Sequence, residues 1–365
     1  MTQRQDSRLE HPYFMHDAML GQPAAVADML SKHAGEAREV GTAIAGKRRV
    51  YLVGIGTSWH AALVAEHWFR HFAGPSLEVQ AWHSFEFWAY PPELSRDDAV
   101  IVISHRGTKT YSFMSLELAK EKGAFTVAIT STDPGPRIQV AEVALTTVPS
   151  ERSAAFTISY TSALTVLALL AMSVGGQRDS GSEAASALQQ IPQTITQVLA
   201  GEEAIGQAAQ RFHMQRRFIC AGWGPNTANT YEVALKMKET STADGEGLQV
   251  EQILHGPFCS VDQECLVTLI APPGPGYQRA VDVARASGEV GAPVWALVQE
   301  GDTDLSKLAT EAFSLPAMPE LWSPLAYVVP LQLFTYHLAL ARGFNPDLFQ
   351  QDNAKQAAAR VHYQL

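Results

Sequence analysis

The chain has 365 residues, 46% of them hydrophobic and 18% charged, with 26 Gly and 20 Pro; this composition fits a globular protein large enough for two domains and excludes a low-complexity chain. A formal net charge of −10 and an isoelectric point near 5.6 exclude nucleic acid as the expected partner, because a phosphate backbone calls for a basic surface. The three cysteines, Cys220, Cys259 and Cys265, show neither a disulfide framework nor paired metal-ligand spacing, so no metal site is expected and a reduced, cytoplasmic setting is.

The N-terminal MTQRQDSRLEHPYF lacks the apolar centre of a signal peptide, and residues 1–10 read as a frayed polar end. From His11 the text HPYFMHDAMLGQPAAVADML has helical period with a break at Pro23. A strand is expected at Arg49 to Val53, ending in Gly54-Ile55-Gly56-Thr57-Ser58 ahead of a helix that starts near Trp59. Strand, glycine turn and helix N-terminus together form an anion-cradling arrangement. The turn has no third glycine and no Gly-Lys-Ser/Thr, so neither a dinucleotide nor ATP is implied.

Leu77 to Ala81 alternates as a second strand, and Ala99 to Ile103, nearly all Val and Ile, reads as a parallel strand covered on both faces. It runs into Ser104-His105-Arg106-Gly107-Thr108-Lys109-Thr110. Phe125 to Thr130 and Val143 to Val148 supply strands four and five, with the turn-rich Thr132 to Pro136 leading from strand four toward a helix. The run Ala163 to Val174 is shorter than the roughly 20 residues that cross a bilayer, so it reads as a buried helix and no membrane is expected. Gly175 to Glu183, GGQRDSGSE, reads as a linker. The period then repeats: RRVYLVGIGTSWHA corresponds to RRFICAGWGPNTAN, with strands at Arg217 to Ala221, Cys265 to Ile270 and Pro293 to Leu297. The expected fold is α/β, two flavodoxin-like doubly wound parallel-sheet domains in tandem.

The segment from Tyr231 to Pro257 carries the chemistry. Glu232, Lys236 and Glu239 stand at i, i+4 and i+7 and share one helical face. A solvated face of alternating ion pairs has the same spacing, so position alone leaves both readings open. After a glycine-containing turn come Glu251 and then His255-Gly256-Pro257, an imidazole placed just before a helix-breaking pair.

Glu232-x3-Lys236-x2-Glu239, followed sixteen residues later by His255-Gly256-Pro257, resembles the signature of the double-SIS (sugar isomerase) family, in particular the isomerase half of glucosamine-6-phosphate synthase and related amino-sugar phosphate deaminases. Further matches are Met15 and Gln22-Pro23 ahead of the first domain, the GxGTS turn with Thr57 and Ser58, and the segment Ser84-x-Glu86-Phe87. The C-terminal Pro324 to His337 also matches nearly residue for residue. The resemblance implies a lead-in at 1–35, SIS domains at 36–182 and 183–342, and a tail at 343–365 that closes over the sugar site. It implies that Glu239 moves a proton between C1 and C2 of a hexose phosphate, that His255 assists ring opening across a homodimer interface, and that Lys236 relays charge. Lys355 corresponds to the family's C-terminal lysine if one residue is inserted, whereas an ungapped match puts Ala354 there.

The same resemblance assigns the sugar-phosphate ligand to Thr57, Ser58, Ser84, Ser104, His105, Arg106, Gly107, Lys109, Thr110 and Thr157. The family's S-x-S-G-x-T loop keeps Ser104 and Gly107 here but has Arg106 and Lys109 in place of two hydroxyls, and Phe156 stands where the family often has Ser. Two cations suit an anion, or a bulkier or more acidic sugar derivative, or a plain basic turn. No cofactor is implied. With no glutaminase segment in the text, the implied reaction is deamination of a substrate like glucosamine-6-phosphate; the alternatives are a fructosamine-phosphate deglycase and a non-catalytic phosphosugar-binding regulatory protein.

Overall fold

The computed structural model describes residues 8–176 and 181–363. Most of the expected frayed end, and residues 177–180 within the expected linker, lie outside the described residues. The chain divides into two compact units. The N-terminal unit comprises Gly21–Glu151, Phe156–Pro192 and Tyr363–Leu365, and the C-terminal unit comprises Met1–Leu20, Arg152–Ala155 and Gln193–His362.

The strands are β1 (Arg49–Gly54), β2 (Glu78–His83), β3 (Asp98–Ile103), β4 (Phe125–Thr130), β5 (Val143–Thr146), β6 (Arg217–Gly222), β7 (Asp244–Gln249), β8 (Cys265–Ala271), β9 (Val294–Gln299) and β10 (Glu311–Leu315). The helices of the first half are α1 (Phe14–Leu20), α2 (Gln22–Lys32), α3 (Ala34–Ala45), α4 (Thr57–Ala73), α5 (Ser84–Ala89), α6 (Thr110–Glu121), α7 (Ile158–Val174) and α8 (Gly181–Leu199). They are followed by α9 (Glu202–Phe212), α10 (Asn226–Ser241), α11 (Tyr277–Glu289), α12 (Asp304–Leu308), α13 (Ser323–Ala341) and α14 (Ala354–Ala359).

Each unit holds a five-stranded parallel sheet, in the orders β2-β1-β3-β4-β5 and β10-β9-β8-β6-β7. Read from the opposite edge, the second order repeats the first, as the internal repeat predicts. In both, the strand order reverses beside the first strand of its unit, and such a switch point opens a crevice at the strands' C-terminal ends. The core of the N-terminal unit is built on β3, whose six residues are all buried, and on α7, apolar all round because α2, α3 and α4 pack against it. Asp98, fully buried at the start of β3, is held by a two-pronged Arg49 at 2.8 and 3.0 Å and by the Ser95 amide.

In the C-terminal unit, α13 is the matching core helix, packed between α9 and α10. The segment Glu320–Ala341 is long and apolar enough to cross a bilayer, but 83% of its apolar window is buried within the fold, so the core accounts for its character.

Three local expectations are corrected. The glycine-containing turn after α10 is the strand β7, parallel to β6 with Arg217 opposite Asp244 and Gly222 opposite Gln249. Its text DGEGLQ has poor strand propensity, yet glycine is what lets it lie against α10: a Cβ on Gly247 would stand 2.5 Å from the Thr230 backbone, and one on Gly245 3.1 Å from the Ala234 carbonyl. The connection after β4 is the short 3-10 turn Pro136–Val140 in place of a full helix. The expected linker also overlaps α8, which is already under way at Gly181.

Candidate active site

In the N-terminal unit the turn after β1 and the loop after β3 flank the switch point. Gly54 permits the first of these: a Cβ there would lie 2.3 Å from the Ser58 carbonyl oxygen, and Gly56 takes φ +56° as the N-cap of α4. Thr57 and Ser58 therefore sit in the first turn of α4 and line a cavity of about 20 Å³ together with His105, Phe156 and Ser159. A space of this size holds about one water, against roughly 300–1,000 Å³ for pockets that enclose whole ligands.

Within Ser104–Thr110, Gly107 takes φ +61° and packs its Cα against Pro134 and Ile138. His105 turns inward. Both of its ring nitrogens are buried without a hydrogen-bond partner, and burial, followed by the neighbouring Arg106, pulls its pKa down to about 4. Arg106 turns to the loop at 151–157, where Nη2 donates to the Glu151 carbonyl at 3.0 Å and the guanidinium stands 4.9 Å from the centre of the Phe156 ring. Lys109 caps α6 and Thr110 begins it.

Two other expected ligand residues are engaged in structure. The buried Ser84 hydroxyl meets that of Ser112 at 3.0 Å. Thr157 is buried, and its amide donates to both oxygens of Glu151, whose carboxylate also accepts from the Ser159 amide and hydroxyl. Glu151 thus neutralises the N-terminus of α7, where backbone donors and helix dipole both favour an anion.

In the C-terminal unit, the triad of α10 is not a solvated face. Glu232 and Lys236 are buried, and Glu239 keeps only 12% of its side chain exposed. Lys236 Nζ lies 2.5 Å from Glu239 and 3.4 Å from Glu232. Burial lowers the pKa of the ammonium, but the two carboxylates outweigh that penalty and the net shift is upward, so Lys236 stays charged.

His255 occupies a different setting. It is 67% exposed, with Nε2 2.9 Å from Glu251, and Glu251 in turn grips Arg279 through both oxygens. The hydrogen bonds from Arg279 and His255 bring the Glu251 pKa down to about 2. Topology separates this cluster from Glu239. Because α10 runs back against β6, Glu239, thirteen residues past Asn226, stands at the strands' N-terminal ends, whereas His255 follows the C-terminal end of β7. The two lie roughly 20 Å apart along the strand direction. Lys355 is exposed on α14, whose N-terminus is capped by Asn353.

A feature that sequence reasoning missed lies at the C-terminal unit's own switch point. Trp223, in the turn after β6, donates its indole N–H to Glu320 at 2.7 Å. A Cβ on Gly276 would come within 2.3 Å of that indole, and one on Gly274 within 2.7 Å of the Glu320 carboxylate. The crevice position equivalent to the GxGTS turn is thus filled by an aromatic ring and a carboxylate. The glycines of PPGPG were the available signal, since such density marks close approach. Among the described residues, no group of three or more His, Cys, Asp or Glu is arranged to hold a metal ion.

Comparison with known proteins agrees with this architecture. Residues 43–173 match the SIS domain model. The chain is 31% identical over 346 residues to the glutamine–fructose-6-phosphate aminotransferase (isomerizing) of Thermococcus kodakarensis, covering 92% of this chain and 56% of the relative; it spans about half the length of the curated relatives it matches. Among solved structures, the C-terminal domain of glucosamine-fructose-6-phosphate aminotransferase from Francisella tularensis superposes with a TM-score of 0.85 at 20% identity, over 93% of this chain and 99% of that one. The glucosamine-6-phosphate deaminase of Thermotoga maritima gives 0.74 at 19%, over 92% and 97%. The chain thus carries a SIS domain and is homologous to the C-terminal, isomerase half of the glutamine–fructose-6-phosphate aminotransferases.

Proposed function

We propose that the protein is a phosphosugar isomerase that acts on an amino-sugar phosphate such as glucosamine-6-phosphate, releasing ammonia and a ketose phosphate. The observation that carries this reading is the part-buried Glu239 held against a charged Lys236 and a second buried carboxylate. The ammonium pairs with both carboxylates, and Glu239, the one with part of its side chain exposed, acts as the base. In the opened, ring-free sugar, Glu239 takes the proton from C2 and returns it at C1; the resulting imine at C2 adds water and expels ammonia. Enolisation beside a carbonyl or imine needs a placed base and donors for the developing charge, and no cofactor chemistry enters.

The phosphate is assigned to the turn at Thr57-Ser58 and the loop at Ser104–Thr110, where a helix N-terminus and cationic side chains suit a dianion. The wide separation of Glu239 and His255 within one chain supports a homodimer in which His255 of a second copy completes the site. Lys355, on the exposed α14, is placed in the same reading as a residue of the closing tail. A cytoplasmic enzyme with reduced cysteines fits this chemistry.

Incubation with glucosamine-6-phosphate should yield ammonia and fructose-6-phosphate in equal amounts. Turnover of other aldose or ketose phosphates without ammonia would leave an isomerase and remove the deaminase. Thermal stabilisation by hexose phosphates with no turnover of any of them would favour the regulatory binding protein, a reading that the small cavity beneath Thr57 keeps in play.

A further inference from the structure

Two residues that depart from the family's hydroxyl pattern, Arg106 and Phe156, touch each other. The Arg106 guanidinium stacks over the Phe156 ring at 4.9 Å, and the His105 ring meets the same phenyl edge-on at 5.4 Å. Phe156 and His105 both line the cavity of about 20 Å³ beneath Thr57 and Ser58. Arg106, with five donors available, has its hydrogen bond at the Glu151 carbonyl, 3.0 Å away. Both His105 nitrogens are buried and have no hydrogen-bond partner, a state that disfavours the ring's present setting. Hydrogen-bonding capacity is thus held beside a half-open cavity whose remaining space is too narrow for a sugar phosphate.

We propose that Phe156 is the specificity-determining gate of the sugar-phosphate site. Its ring fills the place of the substrate, and its departure both opens the cavity to His105 and frees Arg106 to grip the phosphate with two parallel N–H donors. The proposal rests on the phosphosugar reading. Gate and cation act as one device, because the group that holds Phe156 in place is also the group the anion recruits. A ligand able to engage a guanidinium compensates the loss of the stacked ring, and a neutral sugar does not.

Calorimetric titration with inorganic phosphate, fructose-6-phosphate and fructose tests this on the wild type, Phe156→Ser and Arg106→Ser, each checked by circular dichroism. A closed gate taxes apparent affinity by the fraction of molecules that are open, so Phe156→Ser should bind fructose-6-phosphate about tenfold or more tightly than the wild type. Arg106→Ser should weaken it by about tenfold, with a flatter salt dependence. Should the serine variant not fold, Phe156→Leu, which keeps apolar contact but no ring face, carries the test with an expected gain of about threefold. Wild-type binding unchanged in these Phe156 variants would overturn the gate and leave the phosphosugar reading standing. Failure of wild type and variants alike to bind phosphate or fructose-6-phosphate would overturn both.

Discussion

Lys236 Nζ lies 2.5 Å from Glu239 Oε2 and 3.4 Å from Glu232 Oε1, so one buried ammonium serves two carboxylates on a single face of α10. The asymmetry divides their roles. Glu232 is fully buried and compensates the lysine charge; Glu239, nearer to the ammonium and partly exposed, is the carboxylate a ligand can reach. The triad carries one surplus negative charge at a place where the effective dielectric is low.

Replacing Glu239 by Gln keeps the volume and one acceptor at Lys236, and Glu232 still balances the charge. The folded state should stay within about 1 kcal/mol of wild type in urea titration, while turnover falls about 10²- to 10⁴-fold, the usual worth of a positioned proton carrier. Sugar-phosphate affinity should change little. Full turnover in this variant would sink the assignment of Glu239 as the base.

Lys236→Met should act in the opposite way, on stability first. It removes the ammonium that lies 3.4 Å from the buried Glu232 carboxylate, and breaking a buried pair by removing one partner costs about 3–5 kcal/mol. A drop in the urea midpoint is the expected readout, with Glu232→Gln/Lys236→Met recovering part of it by removing the other half of the broken pair.

The packing of β7 against α10 makes Gly247→Ala a further test. The added Cβ would stand 2.5 Å from the Thr230 backbone, which belongs to the helix that carries the triad. Overpacking of this kind costs about 1–3 kcal/mol. An alanine at Gly123 is sterically free but meets φ +79°, so strain alone can be compared with collision. A silent Gly247→Ala would mean that α10 can shift away from the strand.

How far the sequence spoke can be judged from these same residues. The i, i+4, i+7 spacing placed Glu232, Lys236 and Glu239 on one face, because side-chain direction on a helix follows from its period. Their burial was not legible, since it depends on α13 and β7 packing over the same helix. The Val- and Ile-rich strands announced themselves, whereas β7 did not: its glycines answer to a neighbouring helix, which local propensity cannot register. In the anion loop, Arg106 and Phe156 each stood out as departures, but their contact joins positions fifty residues apart, beyond the reach of any local pattern.

Acid stability should carry the mark of Glu202. His16 and His337 each place Nε2 2.8 Å from its Oε1, and these two hydrogen bonds hold its pKa at about 2, below the ordinary carboxylate value of 4.5. A depressed carboxylate stabilises the fold above its unfolded pKa and loses that contribution as pH falls through the folded one. The window therefore runs from about 4.5 down to 2, and Glu202→Gln should flatten that limb of a stability-versus-pH curve while lowering stability at neutral pH. An unchanged acid limb would show that other carboxylates dominate.

The separation of Glu239 and His255 at opposite ends of one sheet yields a test by mixing. Glu239→Gln and His255→Ala should each be inactive alone, the latter with near-normal stability because its ring is 67% exposed. If each site of a homodimer draws Glu239 from one copy and His255 from the other, half of randomly mixed dimers are mixed and each of those has one intact site. Unfolding and refolding an equal mixture should then restore about a quarter of wild-type activity, as the geometry of a two-fold dimer requires. No recovery, with each variant shown to fold and dimerise, would place both groups in one chain's site and force a large rearrangement of the segment after β7, the part of the chain that carries His255.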